Sequence, residues 1–203
     1  TNRVELITKL NGISHDNAHD ALSDVTALID VSRLIRNKQP QLFNFLLEKR
    51  DKNEIKKIVN LDSKQPFVYT SGRYDKQYAK TTVAFPLTSA PHGNVLVYDL
   101  RYDPTAVVGM NEEQLKKAMF ASWTARQEDG FVSVPVKQLQ YNRCPAIAPL
   151  GVLSQGDGWE KISLDKSTID KHLDTLLAHP AFAENIRSIF ESRAPIARAA
   201  DPD

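Results

Sequence analysis

The period of the apolar residues changes along the 203-residue chain, near Pro66. Before Pro66, apolar residues recur every three or four positions, which is the spacing of amphipathic helices. From Phe67 onward, short alternating segments rich in β-branched and aromatic residues indicate strands. Helical spacing returns near the end of the chain. This succession predicts an α+β fold.

Helices are predicted over residues 2–10, 20–37 and 54–59 in the first part of the chain. Asp20 precedes an apolar-periodic segment and is therefore the predicted N-cap of the second helix. Pro40 ends that helix, because proline lacks the N–H group that a helix interior requires. The apolar stripe of the second helix consists of Leu28, Val31, Leu34 and Ile35.

Five short strands are predicted after Pro66, over residues 67–69, 81–85, 95–98, 131–134 and 139–141. A helix near residues 112–124 is inserted between the third and fourth strands, with Asn111 and Gln114 as its capping pair. Short strands with one inserted helix predict a small, strongly curved sheet or barrel. Two further helices are predicted over residues 167–178 and from Pro180 onward.

The composition is that of a soluble globular protein, with 41% hydrophobic and 25% charged residues. The net charge of +1 gives no global electrostatic argument for nucleic acid, but nine Lys and Arg accompany four Asp and Glu between residues 49 and 80. This local excess either neutralises phosphates or is a solvated helix face followed by a charged loop. The single cysteine, Cys144, excludes an internal disulfide and fits a reducing cytosol. No apolar run approaches the roughly 20 residues needed to span a bilayer.

His19 and Asp24 are residue types that point to chemistry, and they lie five positions apart at the start of the second predicted helix. With His19 in the preceding loop and Asp24 in the first turns, both can face one cleft, as a general base and a metal-holding carboxylate do. The same string is also compatible with a capped helix start and a solvated carboxylate. His92, His172 and His179 show no metal-ligand spacing and are expected at the surface.

The string His19-Asp20-Ala21-Leu22-Ser23-Asp24 resembles the last motif of the DEDDh exonucleases, in which a His and an Asp five residues apart complete the active site. Further segments resemble one bacterial branch of that group, the exodeoxyribonuclease I family. These segments are Leu10-Asn11-Gly12-Ile13, Gln39-Pro40-Gln41-Leu42-Phe43, Val134-Pro135-Val136-Lys137 and Asn142-Arg143-Cys144-Pro145. The likeness extends over nearly the whole chain.

The resemblance implies three parts: residues 1–39 as the end of a ribonuclease-H-like exonuclease domain, residues 40–192 as an SH3-like barrel domain with inserted and flanking helices, and residues 193–203 as a linker or tail. That family holds two divalent metal ions, expected to be Mg²⁺, with an Asp-x-Glu pair, a middle Asp and a final Asp. Asp24 matches the final Asp, and His19 matches the general base. Because the other carboxylates are missing, the chain alone is expected to be inactive. The apolar stripe of the second helix would pack against the sheet of the exonuclease domain, most of which is absent, so part of the stripe is expected to be exposed or to pair with another chain.

The resemblance also implies contacts with single-stranded DNA. The matching positions are Arg3, Lys52, Lys137 and Asn142, although Arg3 is equally compatible with a surface position. Arg73 and Tyr74 belong to a basic-aromatic loop whose composition suits single-stranded DNA but which matches no motif. Tyr74 is also compatible with a purely structural role in covering the barrel.

The leading functional hypothesis is a fragment of a magnesium-dependent, single-strand-specific 3′→5′ exodeoxyribonuclease that releases nucleoside 5′-monophosphates in DNA repair and recombination. The resemblance implies a cytoplasmic bacterial enzyme, monomeric at full length, that contacts the single-stranded-DNA-binding protein and no membrane. The alternative is a non-catalytic module that binds single-stranded DNA or a protein tail. An Asp-x-Glu pair on a strand upstream of Thr1 would favour the enzyme.

Overall fold

The computed structural model describes residues 4–14 and 20–192 of the chain. The chain forms two compact units, residues 1–49 and residues 50–203. Within its described residues, the first unit contains helices α1 (Val4–Leu10), α2 (Ala21–Lys38) and α3 (Pro40–Glu48). No helix in the described ranges is both long and apolar enough to cross a membrane.

Helix α2 begins where the sequence predicts. The Asp20 carboxylate accepts a hydrogen bond of 3.0 Å from the backbone N–H of Ser23 and caps the helix. At the other end, the N–H of Gln39 donates to the carbonyl of Ile35, and Pro40 then starts α3. Proline suits this position because its fixed φ angle is helical and its missing N–H would have had no partner there.

The apolar stripe of α2 is only partly covered. Leu28 and Ile35 are 51% and 40% exposed, whereas Val31 and Leu34 are partly buried. This exposure confirms the expectation that part of the stripe faces solvent.

The second unit is built on one antiparallel sheet of five strands in the order β4-β3-β2-β1-β5. The strands are β1 (Phe67–Thr70), β2 (Thr81–Ala90), β3 (Asn94–Asp99), β4 (Val136–Leu139) and β5 (Ala146–Pro149). The helices of this unit are α4 (Lys52–Ile58), α5 (Thr105–Val108), α6 (Glu112–Met119), α7 (Gly158–Lys161), α8 (Lys166–Leu177) and α9 (Pro180–Ser192). The combination confirms the predicted α+β class.

The sheet is covered on both faces, which is why β2 and β3 are buried almost continuously. Val95 and Val97 of β3 pack in a cluster with Ile55 of α4. Leu96 and Tyr98 point to the opposite face and join a larger cluster with residues of α8 and α9. Because neighbouring strand residues point to opposite faces, each strand contributes to both cores.

The predictions for the two last strands are wrong in position. Residues 131–134 form no strand, and β4 starts only after Pro135, whose carbonyl accepts a hydrogen bond from the N–H of Asp99. Proline has no N–H to donate, so ladder pairing begins at the residue that follows it. The predicted strand over 139–141 overlaps only the end of β4, because the chain turns at Tyr141. Strand β5 was missed: it ends in Pro149 and pairs with β1 at the sheet edge, where proline is tolerated.

The inserted helix is shorter than the predicted range of 112–124, since α6 ends at Met119. Its predicted cap is confirmed: Asn111 and Gln114 form a reciprocal capping box with two hydrogen bonds of 2.9 Å. The Arg126 guanidinium folds back and donates to the carbonyl of Met119 at 2.9 Å and to that of Ala121 at 3.1 Å. These bonds satisfy carbonyl groups at the helix end, so the chain can turn away there.

The expectation that His172 lies at the surface is wrong, because only 6% of this residue is exposed. Its Nδ1 atom donates a hydrogen bond of 2.7 Å to the carbonyl of Leu100, just after β3. Its Nε2 atom lies 3.9 Å from a carboxylate oxygen of Asp103. The ring therefore connects α8 to the loop after β3.

Candidate nucleic-acid interface

Asp24 lies in the first turn of α2 and is partly buried. Its backbone N–H donates to the Asp20 carbonyl at 2.9 Å, so the Asp24 backbone is part of a regular, capped helix start. His19 and Arg3, the other two candidates in this part of the chain, lie outside the described residues.

A two-metal centre does not fit the part of the chain that the structure describes. Within residues 4–14 and 20–192, no group of three or more His, Cys, Asp or Glu side chains is placed to hold a metal ion. Magnesium ions require several oxygen ligands each, and a two-metal site therefore needs more carboxylates than Asp24.

Two open cavities in residues 50–192 share Arg73 and Lys137 in their linings. Their volumes are about 580 and 610 Å³. Arg73 is exposed in the loop between β1 and β2, and Lys137 is the second residue of β4, where it pairs with Val97 of β3. The fold thus brings two candidate DNA contacts together at the boundary between two cavities.

Lys137 is held in a defined position. Its ammonium group lies 3.6 Å from the centroid of the Tyr74 ring, a cation–π arrangement. The Tyr74 ring packs edge-on against Tyr69 with centroids 5.5 Å apart. Burial lowers the pKa of Lys137, and the neighbouring Asp99 carboxylate partly offsets this effect. The Tyr74 ring therefore supports the Lys137 ammonium, and Tyr74 itself is only 9% exposed.

The first cavity is lined by three cationic side chains among the described residues. Besides Arg73 and Lys137, its lining includes Arg126 together with the aromatic rings of Phe120 and Phe190. The two rings pack edge-on with centroids 6.5 Å apart. Cations near aromatic faces are the groups that commonly hold phosphates and bases of a single strand.

Asp99 is an acidic residue in the lining of the first cavity and is only 5% exposed. The Thr82 hydroxyl and the backbone N–H of Arg101 both donate hydrogen bonds to its Oδ1 atom. Burial raises the pKa of Asp99, while these two hydrogen bonds act in the opposite direction. Because it carries a buried charge beside Lys137, Asp99 limits how much positive charge accumulates in the cavity.

The second cavity is lined mainly by polar side chains. Arg143 lines it together with Ser71, Gln138 and Gln140. Asn142 directly precedes Arg143 in the exposed turn after β4.

Lys52 lies on a neighbouring surface and does not line either cavity. It is the exposed first residue of α4, one helical turn before Lys56. The Lys56 ammonium lies 5.4 Å from the centroid of the Tyr141 ring, and the Tyr141 hydroxyl donates to the carbonyl of Val59. Helix α4, which carries Lys52, therefore contacts the turn that carries Asn142.

Sequence reasoning missed Arg126 and Arg143 as members of these cavities. Arg143 lies next to Asn142 in a segment that resembles exodeoxyribonuclease I. This resemblance could therefore have identified Arg143 as a candidate. Arg126 follows the inserted helix in a segment without a recognisable motif, and only the fold brings it into the same cavity lining as Arg73.

Three comparisons with known proteins agree. The chain is 32% identical over 197 residues to exodeoxyribonuclease I of Haemophilus influenzae, covering 96% of this chain and 41% of that protein. A crystal structure of Escherichia coli exonuclease I in complex with a dA16 oligonucleotide superimposes with a TM-score of 0.89 at 27% identity, covering 99% of this chain and 43% of that one. A structure of SSB/exonuclease I in complex with an inhibitor gives a TM-score of 0.80 at 26% identity, covering 93% and 39%.

The chain spans about two fifths of the length of the curated relatives that it matches. The family model described as the exonuclease I SH3-like domain matches residues 50–192, the range that contains both cavities. The chain therefore belongs to the exonuclease I SH3-like domain family.

Proposed function

We propose that the chain is part of a single-strand-specific 3′→5′ exodeoxyribonuclease and that residues 50–192 hold the DNA strand. The observation that carries this proposal is the meeting of Arg73 and Lys137 between two open cavities. The names of the relatives, exodeoxyribonuclease I, and a neighbour solved with a dA16 oligonucleotide support it.

The strand-holding surface combines three kinds of group. Arg73, Lys137, Arg126 and Arg143 supply cations for phosphates at or around the cavities. Amide and hydroxyl side chains of the second cavity suit sugar and base edges, and the rings of the first cavity suit base faces. We propose that Lys52 and Asn142 extend this surface on the adjoining side, and that Arg3 contacts the nucleotide being cleaved.

Catalysis in the longer protein is proposed to use His19 and Asp24. A water oxygen attacks the terminal phosphodiester, the bond from phosphorus to the O3′ of the preceding nucleotide breaks, and a nucleoside 5′-monophosphate leaves. His19 would take the proton of the attacking water, because an imidazole with an ordinary pKa of about 6.5 suits a general base near neutral pH. Asp24 would be one of several carboxylates that hold Mg²⁺.

The remaining metal ligands are proposed to lie outside the described residues, since Asp24 alone cannot form the site. This chain by itself is therefore proposed to be inactive as a nuclease. The proposed division keeps residues 1–39 with the exonuclease domain, residues 40–192 as the SH3-like domain and residues 193–203 as a linker or tail.

The proposed setting is DNA repair and recombination in the bacterial cytoplasm. A structural neighbour described as SSB/exonuclease I supports contact with the single-stranded-DNA-binding protein. The full-length enzyme is proposed to be a monomer that acts without a membrane.

A non-catalytic module that binds single-stranded DNA or a protein tail is the second candidate. The observation in its favour is that the described residues hold a cationic double cavity but no metal-binding cluster.

Strand binding is tested by the fluorescence anisotropy of a labelled single-stranded oligonucleotide titrated with this chain at several salt concentrations. Lys137→Gln should weaken binding about tenfold at low salt and flatten the plot of log affinity against log salt by about 0.7, the contribution of one phosphate contact. Lys166→Gln, which removes an exposed lysine paired with Asp170, is the matched control. Equal affinities for both variants would contradict the proposed strand surface.

The enzyme and module hypotheses are separated by nuclease activity on a 3′-labelled single strand with Mg²⁺. The longer protein should be active and this chain silent, and His19→Ala in the longer protein should reduce turnover about 10²- to 10⁴-fold with little effect on strand binding. A longer protein that binds the strand but does not cleave it would favour the non-catalytic module.

A further inference from the structure

We infer that Lys80 is a positioning residue that holds Arg73 in place, although its charge and its loop suggest a direct phosphate contact. The inference rests on the proposed strand surface. It assigns different roles to two cations of one loop: Arg73 contacts the strand, and Lys80 positions Arg73. That loop, residues 71–80, connects β1 to β2 and is called the Arg73 loop below.

The Lys80 ammonium is directed into the Arg73 loop. Its Nζ atom donates to the carbonyl of Gly72 at 2.9 Å and lies 3.5 Å from the carbonyl of Tyr74. These two carbonyls flank Arg73 on either side in sequence. An ammonium group has three donors, and Lys80 directs two of them at the backbone that carries Arg73.

Backbone hydrogen bonds close the same loop at its base. The N–H of Ser71 donates to the Lys80 carbonyl at 2.9 Å, and the N–H of Lys80 donates to the Asp75 carbonyl at 3.0 Å. Ala79 and Lys80 have φ angles of +51° and +57°, in the left-handed region that residues with a β-carbon seldom adopt. Such a conformation persists only when surrounding contacts hold it, and the Lys80 side chain supplies two of these contacts.

Arg73 itself is exposed at the shared edge of the two cavities, whereas Lys80 is partly buried and lines neither of them. Loss of the Lys80 ammonium would leave the carbonyls of Gly72 and Tyr74 without this donor and release the backbone on both sides of Arg73. The consequence for the strand is indirect: the Arg73 guanidinium would no longer be held where phosphate is bound.

A double-mutant cycle on oligonucleotide binding tests this role. Lys80→Met should weaken binding about fivefold in the unsubstituted chain and less than about twofold when Arg73→Met is already present, because residues that act through one another are not additive. Lys76→Met, in the same loop and with the same change of charge, is the control for general electrostatics. Independent, additive effects of Lys80→Met and Arg73→Met would overturn the inference.

A second measurement requires no DNA. Trypsin cleavage after Arg73, followed by mass spectrometry, should be about tenfold faster in Lys80→Met and unchanged in Lys76→Met, since cleavage of a native loop tracks its local opening. An unchanged cleavage rate in Lys80→Met would overturn the positioning role. By contrast, an unsubstituted chain that binds no oligonucleotide would contradict the proposed function and leave the cleavage result as the test of the loop.

Discussion

Asp99 is a carboxylate that the fold buries beside the proposed strand-binding surface. Its charge is compensated locally by the Thr82 hydroxyl and the Arg101 N–H, and at longer range by Lys137. Thr82 is itself only 1% exposed. A buried charge of this kind is stable only while its hydrogen-bond donors are present.

Thr82→Val is expected to lower the free energy of unfolding by about 1.5–3 kcal/mol, because it removes a donor from a buried charged acceptor while keeping the side-chain volume. Thr82→Ser keeps the hydroxyl and is the matched control. Urea denaturation at neutral pH measures both. Equal midpoints for the two variants would show that the hydroxyl contributes nothing to stability.

Helix α6 depends on its capping box, in which Asn111 and Gln114 satisfy each other's backbone N–H groups. The helix is only 8 residues long, so its first turn is a large part of it. Leu115, in the second turn, is fully buried and anchors the helix to the larger hydrophobic cluster.

Asn111→Ala is expected to cost about 1 kcal/mol of unfolding free energy through the loss of the N-cap acceptor. Asn111→Asp retains an acceptor and should remain within about 0.5 kcal/mol of the unsubstituted chain. Both values come from chemical denaturation followed by circular dichroism. If Asn111→Ala and Asn111→Asp were equally stable, the capping box would be shown to have no stabilising role.

Helix α8 begins at a carboxylate cap with a pH dependence of its own. The Asp165 carboxylate accepts hydrogen bonds from the Ser167 hydroxyl and from the N–H and hydroxyl of Thr168. These bonds lower the pKa of Asp165 from its ordinary 3.8 to about 2. A carboxyl group whose pKa is lower in the folded state stabilises the fold above its unfolded pKa, and this contribution is lost as the pH falls through the folded value.

The stability difference between the unsubstituted chain and Asp165→Asn should therefore be constant above about pH 5 and shrink as the pH falls from about 4 to 2. Asparagine is the appropriate comparison because it keeps an N-cap oxygen but does not titrate. Urea unfolding at a series of pH values measures the difference. A difference that stays constant down to pH 2 would contradict the assignment of this titration to Asp165.

At the scale of the whole molecule, both buried clusters of the sheet lie within residues 50–192. The same range is the part of the chain that the family model matches. A segment that contains its own hydrophobic core is able to fold without the residues that precede it.

Residues 50–192 alone are thus expected to unfold cooperatively, with a midpoint within about 3 °C of the corresponding transition in the 203-residue chain. Replacing Leu28 and Ile29 with Ser in the full chain should leave that transition unchanged. Differential scanning calorimetry measures all three proteins. A non-cooperative transition in the isolated segment would show that residues 1–49 contribute to its stability.

The sequence predicted the parts of the fold that depend on near neighbours. The structure confirms three such local predictions: the Asp20 cap, the Asn111 capping box and the helix start at Pro180. Each depends on residues within three or four positions of one another. The predicted change from helical to alternating spacing of apolar residues is also confirmed, since β1 begins at Phe67. In the candidate site, Arg73 and Lys137 were named from composition and resemblance, while the roles of His19 and Asp24 stay predictions.

Only the tertiary structure decided which distant segments meet. Strand β5 carries a weak strand signal and exists because β1 offers it a free edge, and His172 can be buried because the Leu100 carbonyl accepts a hydrogen bond from its Nδ1 atom. The pairing of β3 with β4 places Lys137 in the sheet, and the fold brings Lys137, Arg73 and Arg126 into the lining of one cavity. Local sequence determines caps and periodicity because those energies arise within one turn, whereas a site assembled across strands depends on register and packing that no single segment encodes.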